Sequence, residues 1–365
     1  MKIKELTQYL EQIAPLAYQE SYDNSGLIVG HPEDEIHQAL ITLDCTEEVV
    51  DEAIQNGCDI IIAHHPIVFK GLKKLNGKNY VERVVIQAIR HGIALYAIHT
   101  NLDNVFGGVS GKIAEKLALT SPAILRPKPN LLRKLAVFVP RTHVESVREA
   151  LFEAGAGAIG DYEECSYNTL GYGTFRPLEG ANPTMGKVNE HERIEETKIE
   201  VIYPAHRERA LLVSMYAAHP YEEVAHDIFI LENTLQTVGS GVIGNLPEAM
   251  EEKAFLKYLK DRLNVEVIRH TKLRNKDVSR VAVCGGAGGF LLEDAKRSGA
   301  DIFVSADYKY HEFFDAEGDI VIADIGHFES EQFTQELLLE IIQKKFVNFA
   351  VRLTGIETNP IKYYV

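Results

Sequence analysis

The chain has 365 residues and a mass of 40.8 kDa, which corresponds to two or three domains at roughly 150 residues each. Hydrophobic residues make up 45% and charged residues 25%, proportions that exclude a collagen-like or wholly disordered chain. With 38 basic against 53 acidic residues, the formal net charge is -15, which argues against nucleic acid or anionic membranes as partners.

The cysteines and the N-terminal segment indicate the cellular compartment in which the protein is expected. The four cysteines are far apart and form no C-x-x-C pair, so neither a zinc ribbon nor a disulfide framework is predicted. The first 20 residues are charged and have a helical period, unlike a signal peptide. No run approaches the roughly 18 apolar residues of a membrane span. We therefore expect a protein of the reducing cytoplasm.

The first third of the chain alternates short apolar runs with amphipathic stretches. Unbroken runs of Ile, Leu and Val predict strands that are buried on both faces, and the stretches between them predict helices. The runs lie at 39–44, 59–66 and 93–104. The last third repeats this alternation at 279–289, 300–307 and 319–327. The predicted fold class is α/β, a main domain with a mostly parallel sheet flanked by helices.

The middle of the chain has a different pattern. Its runs predict the element order β-α-β-β-α-β, which is that of a ferredoxin-like module. A Gly-, Pro- and Asn-rich stretch, RPLEGANPTMGKVNEH, separates the second and third of these strands and predicts a mobile arm. We therefore expect an insert at 127–239 in a main domain whose two parts are 1–126 and 240–365.

Candidate metal ligands follow three of the predicted strands, where ligands gather in open α/β sheets. They are His64 and His65 after one strand, His99 and Asp103 after the next, and His327 and Glu331 after a strand near the C terminus. Each of these residues, taken alone, also fits a helix cap or a surface position. Their convergence at three strand ends favours a metal site.

The spacing of His327 and Glu331 sharpens this hypothesis. These residues are four apart, so they lie on one face of a helix if that helix begins near His327. The same pattern also fits the first turn of a helix in which an acidic side chain caps the N terminus. Imidazole and carboxylate ligands suit Zn, Fe, Mn or Co. Five ligands are too many for one open four-coordinate ion, so two divalent ions with Glu331 as a bridge are plausible.

Four motifs carry a family resemblance. They are SYDNSGLIVG (21–30), IIIAHHP (60–66), HTNLDN (99–104) and IGHFESE (325–331). In that order they resemble the motifs of the dinuclear-metal family known as type 2 GTP cyclohydrolase I or Ngg-interacting-factor-like proteins. Many relatives have Trp where this chain has Tyr22.

The resemblance implies a specific ligand set. It places metal ligands at His64, His65, Asp103, His327 and Glu331, with Glu331 bridging. It further implies that His64 and His327 serve one ion and that His65 and Asp103 serve the other.

The insert carries a second resemblance, at the level of the fold. AAHPYEEVAHDIFIL (217–231) is similar to the last helix and strand of the trimeric CutA-like and PII-like proteins. This similarity implies a trimer contact through the insert. Combined with dimeric packing of the main domain, it implies a homohexamer.

Two functions follow from the family and the proposed site. The first is a metal-dependent hydrolase that attacks C8 of GTP or a related nucleotide, releases formate and leaves a dihydroneopterin triphosphate. His99 is then the candidate for proton transfer, since imidazole gains and loses protons near neutral pH. The alternative is a metal-binding regulatory or scaffold protein that acts through its PII-like insert.

Four other features of the sequence are candidate binding or catalytic sites. CGGAGG (284–289) follows a strand and precedes a helix, so it fits either a phosphate cradle or, more simply, close strand-to-helix packing. Cys45 is interpreted as a small buried residue. His219 in the insert is interpreted as structural or interfacial. The segment 308–311 fits either substrate contact or a solvated loop.

Overall fold

The computed structural model describes residues 1–364 and divides the chain into two compact units. The first unit consists of Met1–Pro127 together with the chain from Gln236 onward, and the second is Lys128–Leu235. Each unit has its own sheets and its own buried core. Among the described residues, none of the helices is long and apolar enough to cross a bilayer.

The described residues form 15 strands. They are β1 Gly26–Val29, β2 Gln38–Thr42, β3 Ile60–Ala63, β4 Ala94–Ala97, β5 Thr120–Pro127, β6 Leu132–Pro140, β7 Tyr167–Phe175, β8 Glu192–Pro204, β9 His226–Ile230, β10 Gly239–Glu251, β11 Arg269–His270, β12 Asp277–Val283, β13 Ile302–Ser305, β14 Val321–Asp324 and β15 Ala350–Leu353.

The same residues form 11 α-helices, in addition to short 3-10 turns. They are α1 Ile3–Ile13, α2 Glu47–Asn56, α3 Tyr80–Arg90, α4 Thr100–Asp103, α5 Val109–Lys116, α6 Val144–Glu153, α7 Glu208–Ala218, α8 Glu252–Leu263, α9 Leu292–Arg297, α10 His327–Glu331 and α11 Thr334–Lys345.

One sheet of the first unit has the strand order β1-β4-β3-β2-β15. The last four strands are parallel, and β1 is antiparallel to its neighbour β4. Every residue of β3 and β4 is buried, and apolar side chains of α2 and α3 pack against them. The unbroken apolar runs therefore form the centre of this sheet, as expected for strands covered by helices.

The other sheet of the first unit has the order β11-β14-β13-β12-β10-β5. Here β12, β13 and β14 are parallel, whereas β11, β10 and β5 join by antiparallel pairing. The α/β class is confirmed, but the expectation of one mostly parallel sheet is wrong, because the unit has two sheets and the second is mixed. β5 and β10 pair with each other, with Pro127 opposite Gly239. Both strands contain proline, and proline makes a strand harder to recognise in the sequence.

The second unit contains β6 to β9 with α6 and α7, in the element order β-α-β-β-α-β. Its sheet has the order β7-β8-β6-β9, and every pair is antiparallel. Both helices contribute to one buried core, in which Leu151 of α6 and Met215 of α7 join Val137 and Ile199 of the sheet. This core is separate from those of the first unit.

Candidate metal centre

The carboxyl ends of parallel strands from both sheets of the first unit meet at one place. His64 and His65 directly follow β3, and Asp103 is the last residue of the short helix α4 after β4. From the other sheet, β14 leads into α10, which begins at His327 and ends at Glu331. Ligands collect at such strand ends, and here two sheets contribute to one cluster.

The carboxylate of Glu331 lies at the centre of this cluster. Its Oε2 is 2.9 Å from Nε2 of His65 and 3.1 Å from Nε2 of His327. The same Oε2 is 3.8 Å from Nε2 of His64, which in turn is 3.7 Å from Oδ1 of Asp103. The structure therefore brings together the five residues that the sequence analysis named as ligands.

Three atoms of the cluster are buried and, although imidazoles lie close to Glu331, make no hydrogen bond of good geometry among the described residues: His64 Nε2, Asp103 Oδ1 and Glu331 Oε2. A buried polar atom left without a partner costs about 1–3 kcal/mol, so native proteins rarely leave three together. One imidazole nitrogen and two carboxylate oxygens are ligand types that Zn, Fe, Mn and Co accept. The donor set therefore fits a divalent metal ion.

The ligand atoms form two groups that share Glu331. His64 and Asp103 lie with it in one group, and His65 and His327 lie with it in the other. These groups differ from the pairing implied by the family resemblance, which puts His64 with His327 and His65 with Asp103. The two adjacent imidazoles stay close, with ring centroids 4.9 Å apart, and both lie near Glu331.

The charges of the cluster shift the pKa values of its imidazoles. Burial lowers the pKa of His65, but Asp44 and Glu331 outweigh burial and raise it to about 10. Burial also lowers the pKa of His327, whereas Glu331 and Asp307 raise it to about 9. Burial raises the pKa of Glu331, and the neighbouring imidazoles reverse this and hold it well below its usual value. Around His65 and His327 the cluster thus favours positive charge, whereas burial lowers the pKa of His64.

A second contact at Nδ1 holds each ligand imidazole. The partner of His64 Nδ1 is a backbone carbonyl at 2.8 Å. Nδ1 of His65 is 2.8 Å from Oδ1 of Asp44, and Nδ1 of His327 is 2.7 Å from Oδ2 of Asp307. Such contacts fix the tautomer and the ring orientation that leave Nε2 free to bind an ion.

The sequence analysis missed Asp44 and Asp307 as parts of the site. Asp44 comes just after β2, and Asp307 comes just after β13. Both therefore occupy the same kind of strand-end position that identified the ligands. The strand-end rule includes both positions, but an acid after a strand is a weak signal without a histidine beside it.

Replacing Asp44 by Ala should weaken one metal position and spare the other. Without its Nδ1 partner the imidazole of His65 loses its orientation, and loss of such a carboxylate lowers metal affinity by about 10- to 100-fold. Elemental analysis after dialysis should then show one ion retained. Thr358→Val is the matched control, because it removes only the hydrogen bond to the other oxygen of Asp44. Loss of both ions from Asp44→Ala, or of neither, would contradict this prediction.

His99, the predicted proton-transfer residue, lies beside the cluster. Its ring centroid is 5.3 Å from those of His64 and His65, and its Nδ1 is 2.8 Å from Oδ1 of Asp23. Asp23 also accepts hydrogen bonds from the backbone N–H and the hydroxyl of Thr100. Burial raises the pKa of Asp23, but the contacts with His99 and Thr100 outweigh it and keep that pKa well below its usual value. Ionised Asp23 therefore orients the imidazole of His99.

The glycine-rich turn after β12 packs against the cluster. Gly286 has a φ of +63°, and a Cβ placed on it would lie 2.4 Å from Oε1 of Glu331. The N–H of Gly286 donates to the hydroxyl of Ser330 at 2.9 Å, and that of Gly288 donates to Ser305 at 3.0 Å. Because these amides already have partners, the structure favours close packing over a phosphate cradle.

The surroundings of the remaining candidate residues favour structural roles. Cys45 is buried, and burial raises the pKa of its thiol to about 12, which is the opposite of an activated nucleophile. In the second unit, Nε2 of His219 is 3.0 Å from the carbonyl oxygen of Phe138. At 308–311, Tyr308 is buried and Tyr310 is exposed.

Comparison with known proteins shows relatives over nearly the whole chain. A family model described as Duf34/NIF3 (NGG1p interacting factor 3) matches residues 1–360. A Bacillus subtilis (strain 168) protein named "GTP cyclohydrolase 1 type 2 homolog" is 40% identical over 367 residues, which cover 99% of this chain and 98% of that protein. The Halalkalibacterium halodurans protein of the same name is 38% identical, with 98% and 97% covered.

Solved structures show the same relationship. A Bacillus cereus protein related to NIF3 is 38% identical and superposes with a TM-score of 0.85, covering 100% of this chain and 99% of that one. Staphylococcus aureus protein SA1388 is 30% identical, with a TM-score of 0.79 and the same coverage. By its sequence and its fold, the chain belongs to the Duf34/NIF3 family.

Proposed function

We propose that this protein is a metal-dependent hydrolase with two divalent ions per chain, acting on GTP or a related nucleotide. The observation that carries this proposal is the convergence of His64 Nε2, Asp103 Oδ1 and Glu331 Oε2, which are buried within 4.8 Å of one another and make no well-formed hydrogen bond in the described part of the chain. The name of the relatives, "GTP cyclohydrolase 1 type 2 homolog", supports GTP as the substrate to test first.

The two groups of ligand atoms suggest how the ions would be held. His64, Asp103 and Glu331 would bind one ion, and His65, His327 and Glu331 would bind the other. The ligand types suit Zn, Fe, Mn or Co. Ions of this kind, when bound, supply Lewis acidity that activates water near neutral pH and stabilises negative charge.

His99 is the residue that we propose for proton transfer. Because Asp23 holds its Nδ1, its Nε2 remains for the reaction. With GTP, one water adds at C8 of the purine and opens the imidazole ring, and a second water hydrolyses the resulting formamide. Both C8–N bonds break, each nitrogen gains a hydrogen, and C8 leaves as formate. Nε2 of His99 would take the proton of the attacking water and return it to a nitrogen that leaves C8.

The test begins with metal content per chain, measured by elemental analysis of protein purified without a metal-affinity tag or added metal. About two transition ions per chain, together with formate release from GTP, are the expected results. The absence of metal, with no uptake of Zn, Mn or Fe(II) on titration, would refute the hydrolase proposal. Two ions per chain without formate release would refute GTP as the substrate.

A metal-binding regulatory or scaffold protein is the second candidate function. A cavity of about 680 Å³ in the second unit favours it, with Phe175, Met185, Glu196 and Tyr221 among its lining residues. The Tyr221 hydroxyl donates to Glu196 at 3.0 Å, so the cavity contains an ordered polar contact as well as apolar surface. A small molecule that binds this cavity and changes metal affinity or assembly, without being turned over, would favour this function.

We also propose that residues 127–239 form a ferredoxin-like insert of the CutA-like and PII-like type, and that it mediates trimer contacts within a homohexamer. The element order and the strand order of the second unit support this module. Its edge strands β7 and β9 carry exposed apolar side chains, including Tyr167, Leu170 and Ile230. Exposed apolar edge strands are typical of surfaces that pair with another chain.

Removing residues 128–235 should leave a folded, metal-binding unit of lower oligomeric order. Pro127 lies opposite Gly239 in the β5–β10 pair, so a short Gly-Ser linker can close the gap. Light scattering measures the mass of the assembly, and elemental analysis shows whether the metal site is intact. In the full chain, Leu170→Lys with Ile230→Lys should lower the mass in the same way. An unchanged number of subunits in both variants would refute the role of the insert.

The cysteines support the proposed cytoplasmic location. All four are free thiols, and Cys45, Cys58 and Cys284 are buried. Unpaired cysteines are the rule in a reducing compartment, whereas secreted domains tend to pair them.

A further inference from the structure

We propose that Tyr22, Phe69 and the lysine-rich segment 70–78 form a recognition surface beside the metal centre, which binds a ligand that has both a planar ring and an anionic group. Tyr22 and Phe69 are called the aromatic platform, and residues 70–78 the lysine segment. The inference rests on the proposed function, because it assigns substrate recognition to residues next to the same centre.

The aromatic platform is exposed and adjoins His99. The ring centroids of Tyr22 and Phe69 are 6.1 Å apart with an interplanar angle of 35°, and the ring of Phe69 is 6.0 Å from that of His99. Tyr22 is 63% exposed and Phe69 is 45% exposed. Large rings at this exposure contribute little to the core, and next to a polar cluster they offer a surface on which a planar ring can stack.

Hydrogen bonds hold the platform in place. Nδ2 of Asn24 donates to the carbonyl oxygen of Val68 at 2.6 Å, which joins the segment of one platform ring to that of the other. Asp23, the neighbour of Asn24, contacts Nδ1 of His99. One short run of the chain therefore orients His99 and supports the platform. A surface ordered before the ligand arrives loses less entropy on binding.

The lysine segment adds positive charge at this position. Lys70, Lys73, Lys74 and Lys78 are exposed, and no acidic residue interrupts the segment. Glu82 accepts hydrogen bonds from the backbone of Asn76 and Lys78, and the four exposed ammonium groups outnumber this one carboxylate. Because consecutive Cα atoms are about 3.8 Å apart, the Cα of Lys74 lies within about 19 Å of that of Phe69. We infer that the lysines lie toward the anionic group of a ligand whose ring rests on the platform.

The two features together define the class of ligand. A planar ring without charge would leave the lysine segment unused, and a simple inorganic anion would leave the platform unused. A nucleotide has both parts. The ring would then lie beside His99, and the phosphates would lie toward the lysine segment.

Equilibrium dialysis of the metal-loaded full chain against radiolabelled GTP and guanosine tests this surface. Tyr22→Ala with Phe69→Ala should weaken the binding of both compounds by about tenfold or more, since both have the ring. Lys70→Ala, Lys73→Ala and Lys74→Ala together should weaken the binding of GTP by about tenfold and leave guanosine unchanged, and the effect should shrink as salt is raised.

Matched controls separate a local effect from a general one. Phe314→Ala removes an exposed ring elsewhere, and Lys253→Ala, Lys257→Ala and Lys260→Ala together remove three exposed lysines of α8. Both controls should bind GTP and guanosine as the unchanged chain does. Phe69→Leu keeps an apolar side chain but removes the ring, so it reports on stacking if the alanine variants fold poorly. All variants should keep their metal content.

The outcomes also separate this inference from the proposed function. If the affinities follow the predicted pattern and no formate is released, the recognition surface stands and hydrolysis of GTP fails. If the unchanged chain holds two ions and binds neither compound, or if the platform and lysine variants bind as their controls do, the recognition surface is overturned. A change in assembly mass in the platform variant would identify a subunit interface and would also overturn it.

Discussion

Replacing Glu331 by Gln should remove both metal ions and abolish any metal-dependent turnover. Its Oε2 lies between Nε2 of His65 and Nε2 of His327 and also faces the group of His64 and Asp103. Glutamine has nearly the same size but no negative charge, so both positions lose their shared ligand. We expect a loss of affinity of at least about 100-fold at each position, and elemental analysis after dialysis measures it.

Variants of the other ligands distinguish a shared ligand from a general loss of structure. His64→Ala should affect one position and His327→Ala the other, so each should retain close to half of the metal. Glu329→Gln is the control within the same short helix, since Oε1 of Glu329 contacts Asn359 rather than the cluster. Equal metal content in the unchanged chain and in Glu331→Gln would eliminate the bridging assignment.

Replacing Asp23 by Asn should lower turnover by on the order of 10²–10⁴-fold while both ions stay bound. An asparagine amide at this position can donate to Nδ1 of His99, which would place the imidazole proton on Nε2. That atom could then no longer accept a proton from water. The rate of formate release, measured together with metal content, gives the result, and the loss should appear in kcat more than in KM.

The control for Asp23→Asn is Ser25→Ala. The Ser25 hydroxyl donates to the other carboxylate oxygen of Asp23 at 3.0 Å, so this variant disturbs the same carboxylate without changing its charge. Ser25→Ala should lower the rate of turnover by less than about tenfold. The double variant Asp23→Asn, His99→Gln should be no slower than His99→Gln alone. A parallel fall in metal content and turnover would show that Asp23 supports the ligands and not the proton transfer.

The ligand positions could be predicted because they depend on local sequence order. An unbroken apolar run predicts a buried parallel strand, and the residues that follow it lie at the edge where ligands bind. His64, His65 and His327 were found in this way. Asp44 and Asp307 follow strands by the same rule, yet an acid after a strand is too common in sequences to stand out without a known partner.

The arrangement of the ligands was harder to predict, because it depends on distances through space. A family motif names residues without saying which of them share an ion, and the distances group His64 with Asp103 and not, as expected, with His327. The second sheet was also missed. Its antiparallel part forms around the point where the chain leaves at Pro127 and returns before Gly239, and no pattern within either strand reveals that pairing.

The position of the second unit in the chain has a consequence during protein synthesis. Asp103 and Glu331 are 228 residues apart (331 minus 103), and the segment 128–235 supplies 108 of these residues. At about 5–20 residues per second, a ribosome needs roughly 11 to 46 seconds to pass from one to the other. Throughout that interval the nascent chain presents His64, His65 and Asp103 without the carboxylate that both groups share. If the cluster binds metal as proposed, stable retention of that metal must follow completion of nearly the whole polypeptide.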